Sequence, residues 1–301
     1  MKNLITGASG FVGQNLVRYL NNINQNISLS RTSLMNASQI DFENTNAVIH
    51  LAGKAHDLKN VAGSADYYEA NFELTKQLYD AFLKSDAKKF IFVSSVKAVA
   101  DALNEVLTEE HYPNPQTHYG KSKLLAEEYI LSQPLPDGKT YYILRPCMIH
   151  GPGNKGNLNL LYKFVSFGIP YPLAAYDNKR SFLSIDNLCF VIKEILERND
   201  IERGVYNVAD DKSVSTNELF VLLSSSLKKN PILWRTPKFI LEFFSLIGDK
   251  LHLPLNSERL RKLTENFVVS NLKIKVALGK EFPISTNEGI LKTAHSFKKA
   301  M

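Results

Sequence analysis

The first twenty residues constrain the fold more than any other stretch. Leu4-Ile5-Thr6 ends a short apolar strand that runs straight into Gly7-Ala8-Ser9-Gly10-Phe11-Val12-Gly13, and Leu16, Val17 and Leu20 then share one face of a helix. Strand, glycine loop and helix in that order make an anion cradle. Without side chains, glycines let backbone N–H groups close on a pyrophosphate, and the helix N-terminus adds its positive dipole end. Gly7, Ser9, Gly10, Phe11, Val12 and Gly13 are therefore candidate dinucleotide contacts. The spacing is G-x-x-G-x-x-G, one residue longer in its first gap than the G-x-G-x-x-G fingerprint.

The rest of the chain repeats the strand-helix alternation. Ala47–Gly53 is a buried strand ending in small residues, Tyr67–Lys84 has helical periodicity, Lys89–Ser94 is another short apolar strand, residues 119–132 read as a helix and Thr140–Leu144 as a strand. This predicts an α/β fold: a Rossmann-like, doubly wound parallel sheet with helices on both faces. Ligands on such sheets lie at the carboxyl ends of the strands. The glycine loop, Leu51-Ala52-Gly53 and Ser95 all fall there.

From Gly151 the pattern changes to Gly-Pro-Gly-Asn-Lys-Gly-Asn, and beyond Ser213 it is helical and more basic. We expect a dinucleotide domain of residues 1–150 plus about 181–209, and a smaller, mainly C-terminal substrate domain of 151–180 plus about 210–301. Phe239–Ile247 is the most apolar stretch of that second part. Between the alternatives of a membrane-surface helix and a core-packing helix, the second is the expectation.

Cofactor type is read from the loop after the second strand. An acidic residue there binds the ribose of NAD, and an arginine accommodates the 2′-phosphate of NADP. Ser30, Arg31 and Thr32 occupy it without a carboxylate, which leaves NAD or NADP open with a lean toward NADP from Arg31. Asp41 and Phe42 stand where an adenine-side contact falls.

Of the 13 tyrosines, only Tyr119 has a lysine four residues on, Lys123. In a helix the two share a face, so a fixed ammonium stands beside a phenol that must lose a proton near neutral pH.

Other chemistries find less support. Thirty-six Lys and Arg against thirty Asp and Glu give +6, but the basic pairs never extend into runs, so no nucleic-acid partner is expected. Seven histidines lack ligand spacing, so no metal is expected. Cys147 and Cys189 sit in apolar settings and read as buried, reduced thiols. Neither a secretory leader nor a bilayer-length apolar run is visible, so a cytoplasmic protein without stable membrane insertion is expected.

Taken together, Thr6-Gly7-x-x-Gly10-x-x-Gly13, Leu51-Ala52-Gly53, Ser95 and Tyr119-x-x-x-Lys123 resemble the extended short-chain dehydrogenase/reductases that act on nucleotide sugars, over nearly the whole chain. Arg145–Asn157 and Asp177–Ser181 resemble bacterial members of surface-polysaccharide clusters, the UDP-glucose 4-epimerase-like and UDP-hexosamine 4-ketoreductase proteins. The resemblance implies that Tyr119 is the acid or base at the sugar C4 oxygen, that Lys123 binds the nicotinamide ribose and lowers the tyrosine pKa, and that Ser95, not Ser94, bonds the same oxygen. It places Asn71 near the site, Asn157 and Arg180 on the UDP portion, and Arg261, with Arg259 as a further candidate, on the second phosphate.

The implied activity is NAD(P)-dependent hydride transfer at C4 of a UDP-hexose or UDP-hexosamine, as 4-epimerase or 4-ketoreductase in polysaccharide precursor synthesis. A homodimer is common in the family. Two departures, the missing carboxylate at 30–33 and Met148 where galactose-type epimerases carry asparagine, weigh against strict UDP-glucose/UDP-galactose specificity. The alternative is a non-catalytic dinucleotide-sensing protein on the same fold.

Overall fold

Six parallel strands form the central sheet of the computed structural model, which describes residues 2–20, 25–29, 40–54, 64–154, 157–251 and 256–298. The strands are β1 (Lys2–Thr6), β2 (Gln25–Leu29), β3 (Thr45–His50), β4 (Lys89–Val93), β6 (Thr140–Pro146) and β9 (Gly204–Val208), in the order β2-β1-β3-β4-β6-β9. Order reverses between β1 and β3, where chain crossovers leave to opposite sides. That is where a ligand crevice opens in such sheets.

The crossovers are α1 (Phe11–Leu20), then α2 (Ser64–Tyr68), a π-helical turn (Glu69–Glu73) and α3 (Leu74–Lys84), then α4 (His118–Ser132), and α6 (Ile185–Glu197). Alternation along β4 shows how both faces are covered. Phe90 and Phe92 pack with Leu78, Tyr79 and Phe82 of α3 and with Ala126 and Ile130 of α4. Ile91 and Val93 point the other way, to Leu16 and Leu20 of α1 and Leu188 and Ile192 of α6. All five β4 residues are buried, as expected of a strand covered on both faces.

Beyond β6 a two-stranded pair, β7 (Met148–His150) and β8 (Phe182–Ser184), leads away from the sheet. Helices α5 (Asn157–Ser166), α7 (Thr216–Ser226), α8 (Lys238–Leu251), α9 (Ser257–Thr264) and α11 (Thr286–Lys298) follow. Leu158, Tyr162, Leu173, Phe220, Leu241 and Ile290 belong to a second apolar cluster. The C-terminal part does not stay wholly within it. Phe267, Val269, and Ile274 and Leu278 of α10 (Leu272–Leu278) join the core of the sheet, and β10 (Val268–Val269) pairs with β5 (Val106–Leu107).

Phe239–Ile247 is a helix, as its periodicity suggests, but not a core-packing one. Within α8 only Leu241, Ser245 and Gly248 are buried, whereas Phe239, Phe243 and Phe244 are exposed. The face turned to the cluster carries one leucine and two small residues, so the aromatic mass is left outside.

Candidate active site

Backbone-to-backbone tightness shapes the glycine loop. Gly7 has φ +68°, a left-handed conformation that glycine adopts without penalty, and a Cβ there would stand 2.8 Å from the Ala52 nitrogen. At Gly13 a Cβ would meet the Gly7 carbonyl oxygen at 2.3 Å and the Ala8 Cα at 2.5 Å. Gly10 is exposed, with only the Gly7 oxygen near its bare side. The loop thus packs β1 against β3 and α1 while leaving open the backbone at Ser9 and Gly10. That arrangement fits a pyrophosphate at the start of α1.

A buried hydrogen-bond chain locks the neighbouring strand end. The Thr6 hydroxyl accepts the N–H groups of Leu51 (3.2 Å) and Ala52 (3.1 Å), so its own proton goes to His50 Nδ1 at 2.6 Å. The Thr75 hydroxyl donates to the Asn71 carbonyl at 2.7 Å, so it accepts from His50 Nε2 at 2.8 Å. Both conditions demand a neutral imidazole protonated on Nε2.

Farther along, Asn71 in the π-helical turn accepts the Lys54 N–H (2.7 Å) and donates to the Lys54 carbonyl (3.0 Å) and to Ser122 Oγ (3.0 Å). Its amide is fully engaged in tying Lys54 to α4. Single π turns recur at functional sites, where they aim one side chain out of helical register.

Burial, and secondarily the positive charge of Lys123, pull His50 down to about 3. The unfolded chain takes up this proton near ~6.5, so the stability it contributes is complete above that pH and is lost as pH falls toward 3. From pH 6.5 to 4.5 the loss is expected to be roughly 2 kcal/mol. Urea unfolding at the two pH values measures it, and His50→Gln should remove that share of the acid sensitivity. An equal decline in both proteins would refute the assignment.

Helix α4 carries the proposed acid-base pair. Thr117 caps it by accepting the Gly120 N–H, and Gly120 lies so close to the Lys97 carbonyl, 2.3 Å from where a Cβ would be, that the helix start is pressed against the turn after Ser95. Tyr119 is partly exposed and has the Ser95 side chain beside it. Burial raises its pKa, and the nearby Ser95 hydroxyl opposes the rise.

Lys123 is buried, donates to the Val93 carbonyl at 3.0 Å and lies 4.7 Å above the Phe92 ring. Desolvation pulls it down to about 8, against the attraction of Glu127. Gly53 completes the group, since a Cβ there would stand 2.7 Å from Asn71 Oδ1 and 3.1 Å from Lys123 Nζ. Ser95, Tyr119, Lys123 and Gly53 therefore meet at the strand ends, beside the glycine loop.

The remaining candidates are less concentrated. Phe42 packs on the core with Ala52, while Asp41 is exposed beside Lys2. Arg31 and its loop lie outside the described residues. Asn157 opens α5, and its side chain also lies outside the described part. Arg180 is partly buried, which lowers its pKa against the pull of Glu265 and Cys147. Arg261 is exposed and pairs with Glu265 at 3.1 Å, so the same carboxylate stands near both arginines.

Residues 3–209 match the NAD dependent epimerase/dehydratase family. The chain belongs to that family. It is 31% identical to a UDP-glucose 4-epimerase of Vibrio cholerae, across 99% of this chain and 95% of the relative. Two solved structures share the fold. MoeE5 in complex with UDP-glucuronic acid and NAD superposes with a TM-score of 0.77 at 19% identity, covering 100% of both chains. RMD from Pseudomonas aeruginosa complexed with NADPH gives 0.75 at 22%, covering 100% of this chain and 99% of that one.

In this epimerase/dehydratase chain, sequence reasoning missed the group behind the tyrosine and lysine. Glu127 accepts from Arg145 Nη2 at 2.6 Å and Nε at 2.9 Å and from the Ser94 hydroxyl, all of it buried. The signal was legible as spacing: Tyr119, Lys123 and Glu127 recur every four residues on one helix face.

Proposed function

We propose that the protein moves a hydride at C4 of a UDP-hexose or UDP-hexosamine and works as a 4-epimerase. The observation that carries this reading is the meeting of Ser95, Tyr119 and Lys123 next to the glycine cradle. The identity to the Vibrio cholerae 4-epimerase over nearly the full length supports the choice of C4 and of a UDP-sugar. A nicotinamide dinucleotide bound at Gly7–Gly13 supplies the hydride acceptor and donor.

The chain's own residues handle the proton. Tyr119 takes the C4 hydroxyl proton as the carbon is oxidised and returns it on reduction, with Ser95 orienting the same oxygen. Lys123, held by the Val93 carbonyl and the field of Glu127, keeps a positive charge beside the developing phenolate. An epimerase then lets the 4-keto sugar offer its other face. Arg180 and Asn157 are assigned to the UDP portion, where a guanidinium's planar fork suits a pyrophosphate, and Arg261 to the second phosphate. NAD and NADP both suit the cradle, and Arg31 favours NADP.

Proton NMR of UDP-glucose and UDP-N-acetylglucosamine incubated with the protein and substoichiometric NAD tests the reading. Accumulation of the C4 epimer is the expected result. Stoichiometric NADPH consumption with a 4-keto sugar, and none of the epimer, would instead make it a ketoreductase. Dinucleotide binding without turnover of any sugar would make it a sensor.

A further inference from the structure

We infer that α8 is a peripheral docking helix for the surface of an anionic phospholipid bilayer. Its outward arc carries Phe239, Phe243, Phe244, Leu246 and Leu251, interrupted by one charge, Lys250. Phe239 is 70% exposed, Phe243 59% and Phe244 54%. A surface helix of a soluble domain turns such residues inward. Here the inward side is occupied by Leu241, Ser245 and Gly248, so no rotation of the helix would bury the phenylalanines without exposing its only anchor.

The occupant is chosen by charge and by residue type. Residues 228–251 contain Lys228, Lys229, Arg235, Lys238 and Lys250 against Glu242 and Asp249. Asp249 is engaged by the Ser257 N–H (3.0 Å) and hydroxyl (2.6 Å), and Glu242 lies 3.5 Å from the Tyr176 hydroxyl. The local balance is therefore basic. Lysines are depleted in the cores of protein–protein interfaces but accompany aromatic residues at membrane surfaces, where they are drawn to anionic lipid.

Trp234, 57% exposed and four residues before the helix, adds the residue most enriched at the headgroup level. With 14 residues, α8 spans roughly 21 Å against a hydrocarbon core of about 30 Å, so it lies in the plane of the surface and does not cross it.

Sedimentation of the full chain with phosphatidylglycerol-containing and pure phosphatidylcholine vesicles tests the assignment. Partition onto the anionic vesicles is expected to be at least ~10-fold higher, and to fall as salt is raised through the range where the screening length shrinks below about 5 Å. Trp234 is the only tryptophan, so a blue shift of its emission on anionic vesicles reports contact without any substitution. The double variant Phe243→Ser/Phe244→Ser should lose ~10-fold or more of this partition while its melting temperature and turnover stay at the parental values, because both rings are exposed. Failure of the parental protein to bind anionic vesicles, or binding unchanged in the double variant, overturns the proposal. So does concentration-dependent self-association that the double variant abolishes, which would give the face to a second copy of the chain.

Discussion

Tyr119→Phe is expected to lower kcat by roughly 10³-fold while leaving the affinity for a UDP-sugar within a factor of a few. The change removes one oxygen and nothing else. The ring keeps its place on α4, above a helix start held by the Thr117 cap and by the close contact of Gly120 with the Lys97 carbonyl. What disappears is the hydroxyl to which the proposed mechanism assigns proton exchange with the C4 oxygen, beside Ser95.

Because burial raises the Tyr119 pKa and Lys123 is pulled down to about 8, the free protein holds a neutral phenol beside an ammonium at neutral pH. The proton must leave only when substrate and cofactor complete the site. Steady-state kinetics paired with calorimetric titration of the sugar nucleotide separates the two effects. A kcat within a few-fold of the parent would remove Tyr119 from the chemistry, and with it the reading of the site.

The second large effect is on stability. Arg145→Met should cost about 3–5 kcal/mol, because it strands the Glu127 carboxylate in a place where it is 1% exposed. The pair joins α4 to β6, and the Ser94 hydroxyl adds β4's end to the same carboxylate. Removing both charges is a different matter. Glu127→Leu with Arg145→Met leaves no orphan ion and is expected to recover most of the loss. Urea unfolding of the single and double variants distinguishes an ion pair held for its charge complementarity from one that merely fills space, in which case the double variant would be the worse of the two.

The sheet was readable because its central strands, β3 and β4, are short, largely apolar and followed by turn or helix signals, and burial on both faces removes the alternation that might confuse them. The glycine loop was readable for a related reason, since only glycine tolerates the backbone contacts at Gly7 and Gly13. Tyr119 and Lys123 were readable as an i, i+4 pair. Glu127 continues that same spacing but was passed over, because its significance depends on Arg145, which arrives from a strand 18 residues later. The hydrogen-bond chain through His50 was illegible for the same kind of reason. Thr6 and Thr75 lie 44 and 25 residues away in sequence, and only the parallel register of β1 and β3 brings the first of them opposite His50. For α8, apolar content predicted a helix but carried no information about its orientation. A stretch with phenylalanines all round one arc and only Leu241, Ser245 and Gly248 on the other reads as core until the neighbours are known.

The return of Phe267, Val269, Ile274 and Leu278 to the core of the sheet bears on how the protein is made. All six strands have left a ribosome once residue 208 has emerged, yet one flank of the sheet still lacks its cover and β5 lacks its partner. Nascent chain shorter than about 278 residues must therefore hold an apolar surface in check while the intervening helices are synthesised. Closure of that flank therefore waits until α10 has been made, well after β9, the last strand of the sheet to be synthesised.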